Sequence, residues 1–208
     1  MIEIHGFPQS NFVWAVRIAA ALKGVSAALV PTNPHEGLAK AVHPLGKVPV
    51  LRHGDIEIGE SVSICRYIDA AFDGTDLAPS NASEAARHDQ WVSLIQTAIE
   101  PVLIRQYVFA YLFPKGENGE PDRDAIDAIV PEVERLLGVV ASGVERKAFA
   151  AERMQIADAL LVPILFYTRI SPEGSAAIAA QPSVAAYLDT ALNVPAVSST
   201  LPPPPADT

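Results

Sequence analysis

The sequence predicts an α/β unit over residues 1–75 followed by an all-helical domain over residues 84–200, in a chain of 208 residues. Three observations predict it. The chain opens strand–helix–strand, which within one sheet demands a parallel, right-handed crossover. Residues 43–61 hold two short strands around a tight turn, with a proline inside the first and an acid–hydroxyl pair after the second. Beyond Ser83 the apolar spacing is helical and no segment alternates convincingly as a strand does.

The elements follow in order. Ile2 and Ile4 alternate with polar neighbours, the pattern of a half-buried strand. Gly6–Asn11 is a loop, with Pro8 and Gln9-Ser10-Asn11 ahead of a helix on which Val13, Val16 and Ala20 recur at helical spacing. Lys23-Gly24 ends that helix, and Ala27–Val30 is a second strand closed by Pro31. A short helix is expected over Glu36–Val42. The strands flanking His53-Gly54-Asp55 form a hairpin, since Gly54 readily takes a positive φ. Pro49 cannot donate to a ladder, so it does not belong in an ordinary central strand. If Val48–Pro49 is cis, the chain bends there and the Val48 amide and carbonyl turn outward. Glu60-Ser61 then opens a helix through Val62–Phe72, with Cys65, Ile68 and Phe72 on one face. Together these make a small layered unit of the thioredoxin-like arrangement.

Asp73–Ser83 has the composition of a linker. Glu84–Phe113 is a long helical pattern in which a bend is expected at Pro101. Pro114–Pro121 is a loop, and Asp122–Val144 a second long helix with Ile126, Ile129, Val133, Leu136, Leu137 and Val140 on one stripe. Ile156–Arg169 is apolar nearly all round and should lie at the domain centre. A last helix starts at Pro182, and Leu201–Thr208, with four consecutive prolines, is expected to be extended or disordered.

Composition narrows the function classes. Half the residues are hydrophobic and 19% are charged, as in a folded globule. A net charge of −9 argues against a nucleic-acid or anionic-membrane partner, both of which need clustered Lys and Arg. It leaves room for a small anionic ligand, which needs only local positive potential. The lone Cys65 excludes an intramolecular disulfide and a thiolate metal cluster, and no metal site is expected. On the apolar face of its helix, Cys65 reads as a buried structural thiol. Met1–His5 does not resemble a signal peptide, the next apolar region is interrupted by Arg17 and Lys23, and the longest apolar run, Ala159–Tyr167, is too short to span a bilayer. A soluble cytoplasmic protein is expected.

One surface stands out. A bent segment at Val48–Pro49 offers strand-like backbone pairing, and the helix start at Glu60-Ser61 offers amides and positive dipole potential to a carboxylate. A short peptide with a free carboxylate fits both.

Gly46-Lys-Val-Pro-Val-Leu51 followed by Gly59-Glu-Ser61 resembles the glutathione-binding half of the glutathione S-transferase family, and Phe7-Pro8-Gln9-Ser10-Asn11-Phe12-Val13 resembles its Ser-bearing, bacterial-like and plant-like groups. The resemblance is sharp over the first 75 residues and looser over the helical remainder. It implies a transferase that uses glutathione as co-substrate against a small hydrophobic electrophile, a detoxifying homodimer in the cytoplasm. Ser10 then contacts the sulfur, with Asn11 as runner-up. Lys47 pairs with the glycine carboxylate, Val48 bonds the cysteinyl backbone, Pro49 shapes that segment, and Glu60 and Ser61 hold the γ-glutamyl end. Phe12 with Tyr107 or Tyr111 lines the electrophile pocket. His35 is a weaker glycine-end candidate. From spacing alone, Ser10 is as well read as a helix cap as a catalytic hydroxyl.

Three departures from the family pattern accompany the match: Gln155 at a cap position that usually holds Ser or Thr, with Asp158 three residues on; Trp14 where a polar residue is common; and His43 for a common Asn before Pro44. They leave open a non-catalytic ligand-binding or protein-interaction member of the same fold. Glutathione-dependent isomerisation ranks lower, since the Ser-Ser-Cys-Ser loop of that group is absent.

Overall fold

The computed structural model describes residues 1–203. Four strands, β1 (Ile2–His5), β2 (Ala27–Val30), β3 (Val50–His53) and β4 (Ile56–Gly59), form one sheet in the order β2-β1-β3-β4. β1 and β2 are parallel with Ile4 opposite Leu29, and β3 runs antiparallel to both β1 and β4 with Leu51 opposite Ile4 and Ile58. The parallel pair is joined by α1 (Asn11–Leu22), as the right-handed crossover requires. Gly54, at φ 57°, makes the two-residue turn of the β3–β4 hairpin.

β3 begins at Val50, so Pro49 precedes the strand rather than lying inside it. β3 is an inner strand with ladder partners on both sides, and a residue without an N–H cannot serve there. The Val48–Pro49 bond is cis. Short α2 (Gly37–Val42) packs against β3 and β4, and α3 (Ser61–Ala71) packs with α1. Ile2, Ile4, Val16, Leu51, Ile64, Cys65 and Ile68 are buried in this layered unit.

From Ala82 onward every described element is helical. The pattern over 84–113 does not break at Pro101. It continues from α4 (Ala82–Leu94) through widened π turns at Ile95–Ile99 and Pro101–Val108 into α5 (Phe109–Leu112). Proline has no N–H to close a regular turn, and here the path shifts to the i→i+5 pattern instead of stopping. α6 (Arg123–Glu145) is capped by Asp122, whose side chain accepts the Ala125 N–H at 3.1 Å, and buries Ile126, Val133, Leu136, Leu137 and Val140. The bundle is completed by α7 (Ile156–Ile170), α8 (Pro172–Ala179), α9 (Pro182–Leu192) and the short α10 (Pro195–Ser198).

α7 is the central helix and packs against α1, α3, α4, α8 and α9. Its first turn is held by Asp158, which accepts the Gln155 N–H and the Ala150 N–H at 2.9 Å each and the Tyr187 hydroxyl at 2.8 Å. Glutamine at the cap therefore leaves the reciprocal bond from the third helical residue intact. Burial of Asp158 nonetheless outweighs these three donors and pushes its carboxyl up to about 6.

The two halves share one core. Trp14 of α1 is fully buried, meets Phe166 edge-on at 5.1 Å, and donates Nε1–H to Thr200 at 3.1 Å. Lys23 pairs with Asp69 at 2.9 Å, Asp69 also accepts the Leu77 N–H, and Ile156 N–H bonds the Leu77 carbonyl. Among the described residues no helix is long and apolar enough to cross a membrane. The tail expectation falls partly on residues 204–208, which lie outside the described residues.

Candidate active site

A cavity of about 850 Å³ opens between the sheet unit and the helices. One side is polar and carries Ser10, Asn11, Lys47, Val48, Pro49, Glu60 and Ser61. The other is a wall made by Ile104, Val108, Phe109, Leu112 and Phe113, with Phe12 and Tyr167 between the two. A half-polar, half-apolar cleft at a domain junction suits a small ligand with both characters.

Ser10 caps α1. Its Oγ accepts the Val13 N–H at 3.4 Å and its backbone is extended, as a cap requires. Capping uses an oxygen lone pair, so the hydroxyl proton remains free to donate to a cavity ligand. α1 has no acidic residue in its first turn, so its positive end is not neutralised there. Asn11 is buried, and its side-chain amide donates to Glu100 at 3.4 Å. Of the two sulfur candidates, Asn11 is thus already engaged.

Val48 sits between β3 and the cavity, outside the strand ladder. Lys47 is exposed at the cavity edge. Glu60 occupies the cap position of α3 at φ 67°, a left-handed conformation rare for a residue with a side chain, and its carboxylate makes no capping bond. The side chain is directed instead to His43, whose Nε2 lies 3.0 Å from Oε1. Ser61, the first residue of α3, is buried. His35 does not line the cavity; its N–H bonds the Gly46 carbonyl at 2.6 Å.

A match to the family described as "Glutathione S-transferase, N-terminal domain" covers residues 4–76. The chain is 32% identical to glutathione S-transferase 3 of Zea mays over 222 residues, covering 99% of this chain and 97% of that protein. The chain belongs to the glutathione S-transferase family. It is 25% identical to glutathione S-transferase Z2 of Arabidopsis thaliana, covering 100% and 93% of the two chains. These relatives are plant proteins, and the bacterial-like subtype does not follow from them. Among solved structures, glutathione S-transferase III in its apo form superposes with a TM-score of 0.78 at 28% identity over 98% of this chain and 99% of the other. Glutathione transferase F7 from Populus trichocarpa gives 0.82 at 23% identity, with 96% and 97% covered, a likeness of fold. The thioredoxin-like unit followed by helices is the architecture of these transferases.

Within this family member, the electrophile-side expectation needs correction. Tyr107 and Tyr111 do not line the cavity. Tyr107 is fully buried, donates to Glu173 at 3.0 Å and accepts the Gly174 N–H at 2.7 Å. Tyr111 also bonds Glu173, and Arg123 reaches both of them. Burial alone would raise the Glu173 carboxyl, but the hydrogen bonds from Tyr111 and Arg123 bring it down to about 2. The buried Tyr107 phenol has its polar partner in Glu173 at the start of α8, away from the cleft. Phe109 and Phe113, which need none, face the cavity and meet edge-on at 5.1 Å.

Polar residues at the cavity that sequence reasoning did not name as site residues include His43, Glu100, Arg105 and Tyr167. Glu100 is only 4% exposed. Burial raises its carboxyl above the ordinary range, against the pull of Arg105, Asn11 and Lys47. Arg105 Nε donates to it at 2.9 Å. The two residues are five apart, which does not bring side chains together on a regular α-helix but does across a π turn. The widened helix therefore builds this pair. The Tyr167 hydroxyl is pushed up to about 12 by burial and has no protein partner among the described residues.

Proposed function

We propose that this chain binds glutathione along Val48–Pro49 and the start of α3, stabilises its thiolate with Ser10, and transfers that thiolate to an electrophilic carbon in the cavity. Residues 1–75 hold the peptide and residues 84–200 contribute the electrophile wall. The convergence of Ser10, Val48, Glu60 and Ser61 on one cavity with Phe12 and Phe109 is the observation that carries this reading. Its chemistry is that of a Ser-type transferase. Lys47 offers a cation for the glycine carboxylate, the Val48 backbone pairs with the cysteinyl unit, Glu60 receives the ammonium, and Ser61 with the α3 amides receives the γ-glutamyl carboxylate.

A free thiol with pKa about 8.5 is only a few per cent thiolate near neutrality. Lowering it by about two units requires roughly 2.7 kcal/mol. One charge-assisted bond from Ser10 together with the α1 dipole is of that size. The same thiolate can reduce a peroxide. A homodimer working in the cytoplasm on toxic electrophiles completes the proposal.

Calorimetry with glutathione and conjugation of an activated chloronitrobenzene test it. Micromolar-to-millimolar binding with turnover above the uncatalysed rate is expected. Tight binding of an apolar ligand with neither glutathione binding nor turnover points instead to a non-catalytic carrier.

A further inference from the structure

Arg105 lines the apolar side of the cavity, yet it is a cation held in a fixed pose. Its Nε is committed to the buried Glu100 carboxylate, which is itself anchored by Asn11. Its guanidinium carbon stands 5.0 Å from the Phe109 ring centre and 5.9 Å from that of Phe12. Stacking and the ion pair together remove most of the freedom that an arginine on a surface would have. The side chain is 49% exposed, and among the described residues its two terminal nitrogens have no acceptor. These terminal N–H groups form a fork matched to a planar oxyanion. Ile104, Val108, Leu112 and Phe113 line the same cavity with apolar surface.

We infer that Arg105 makes this enzyme selective for electrophiles that join an apolar body to a carboxylate, the carboxylate seated on the terminal guanidinium nitrogens and the body against Phe109. The inference rests on the transferase reading above and names its substrate class. Lys47 is the other cation lining the cavity and is the one proposed for the peptide's own carboxylate, so the two anionic ends are received at separate places.

The test compares 4-chloro-3-nitrobenzoate with its neutral isostere 4-chloro-3-nitrobenzamide. In each, the glutathione thiolate attacks the ring carbon, the C–S bond forms, and chloride leaves with the C–Cl electron pair. Each kcat/KM is divided by the uncatalysed rate constant with glutathione at the same pH, which removes the difference in ring activation. The wild type is expected to favour the acid by about tenfold or more, as one charge-assisted contact allows. The preference should shrink with added salt. Arg105→Gln should bring the ratio close to one, and Arg105→Lys should keep part of it, since an ammonium attracts the carboxylate but cannot grip it with two parallel bonds. If Arg105→Gln unfolds because Glu100 is left unpaired, the double variant Glu100→Gln/Arg105→Gln serves in its place. Equal normalised rates in the wild type, or a ratio unmoved by the substitution, overturn the inference and leave the transferase reading standing. Turnover of neither compound, with no heat on adding glutathione, overturns both.

Discussion

The buried imidazole of His43 donates from Nε2 to the Glu60 carboxylate at 3.0 Å, while its Nδ1 accepts the Leu45 N–H at 3.0 Å. The backbone donor at Nδ1 fixes the neutral tautomer with its proton on Nε2. The loop before β3 and the start of α3 are thereby tied together. These are the two ends of the proposed peptide surface. Glu60 needs such a tether because it sits at a positive φ with 63% of its side chain exposed.

Removing the tether should weaken glutathione binding. His43→Ala loses one hydrogen bond worth about 1 kcal/mol, which corresponds to roughly a fivefold rise in Kd. Calorimetry reads it directly. Gly59→Ala should act in the same direction, because its Cβ would come within 2.7 Å of His43 Cδ2 and displace the ring. An unchanged Kd in both variants would show that Glu60 needs no support.

Tyr107 should matter for stability and not for electrophile choice. Tyr107→Phe leaves the Gly174 N–H without its acceptor and removes a donor from Glu173, at a cost of about 1–3 kcal/mol. Tyr111→Phe should cost less, since Arg123 still holds Glu173. Urea unfolding midpoints check the stabilities, and relative kcat/KM over a panel of electrophiles should stay within about twofold of the wild type, the range of a change that touches no substrate. A shift in electrophile preference would return these tyrosines to the pocket.

His88 should make folding sensitive to acid. Its ring is buried, Nε2 accepts the Ala157 N–H at 3.3 Å at the start of α7, and burial lowers its pKa below the ordinary value of 6.5, outweighing Asp89. The folded state therefore binds this proton less readily than the unfolded chain. The His88 contribution is fully present above about pH 6.5 and is lost as the pH falls through that value toward the lower folded pKa. The stability difference between wild type and His88→Gln, measured by denaturant titration at a series of pH values, should narrow or reverse between pH 7 and about pH 5. A difference constant over that range would contradict it.

Much of the fold was legible because local signals agreed with it. Gly54 marked the hairpin turn, Pro31 closed β2, and the stripe from Ile126 to Val140 gave α6 its buried face. That Lys47, Val48, Pro49, Glu60 and Ser61 share the polar side of one cavity was legible as well, since they lie in two short runs whose spacing survives folding. The electrophile side was not. Glu100 and Arg105 meet only because the helix widens to π turns around Pro101, and a pattern read at 3.6 residues per turn separates them. The family resemblance alone puts Tyr107 or Tyr111 in the pocket, and no local signal in the sequence says which way either phenol turns. Their partner Glu173 lies more than sixty residues away, and nothing local announces it. His43 looked incidental for the same reason, its partner Glu60 being seventeen residues downstream.

Ultraviolet titration of the thiolate of glutathione bound to the wild type and to Ser10→Ala tests the central claim most directly. In the wild type the bound thiol should ionise about two units below the free value, and in Ser10→Ala it should return most of the way toward about 8.5. Superimposable titrations of the two proteins, with glutathione bound equally well by both, would show that the Ser10 hydroxyl only caps α1 and that the thiolate is stabilised elsewhere.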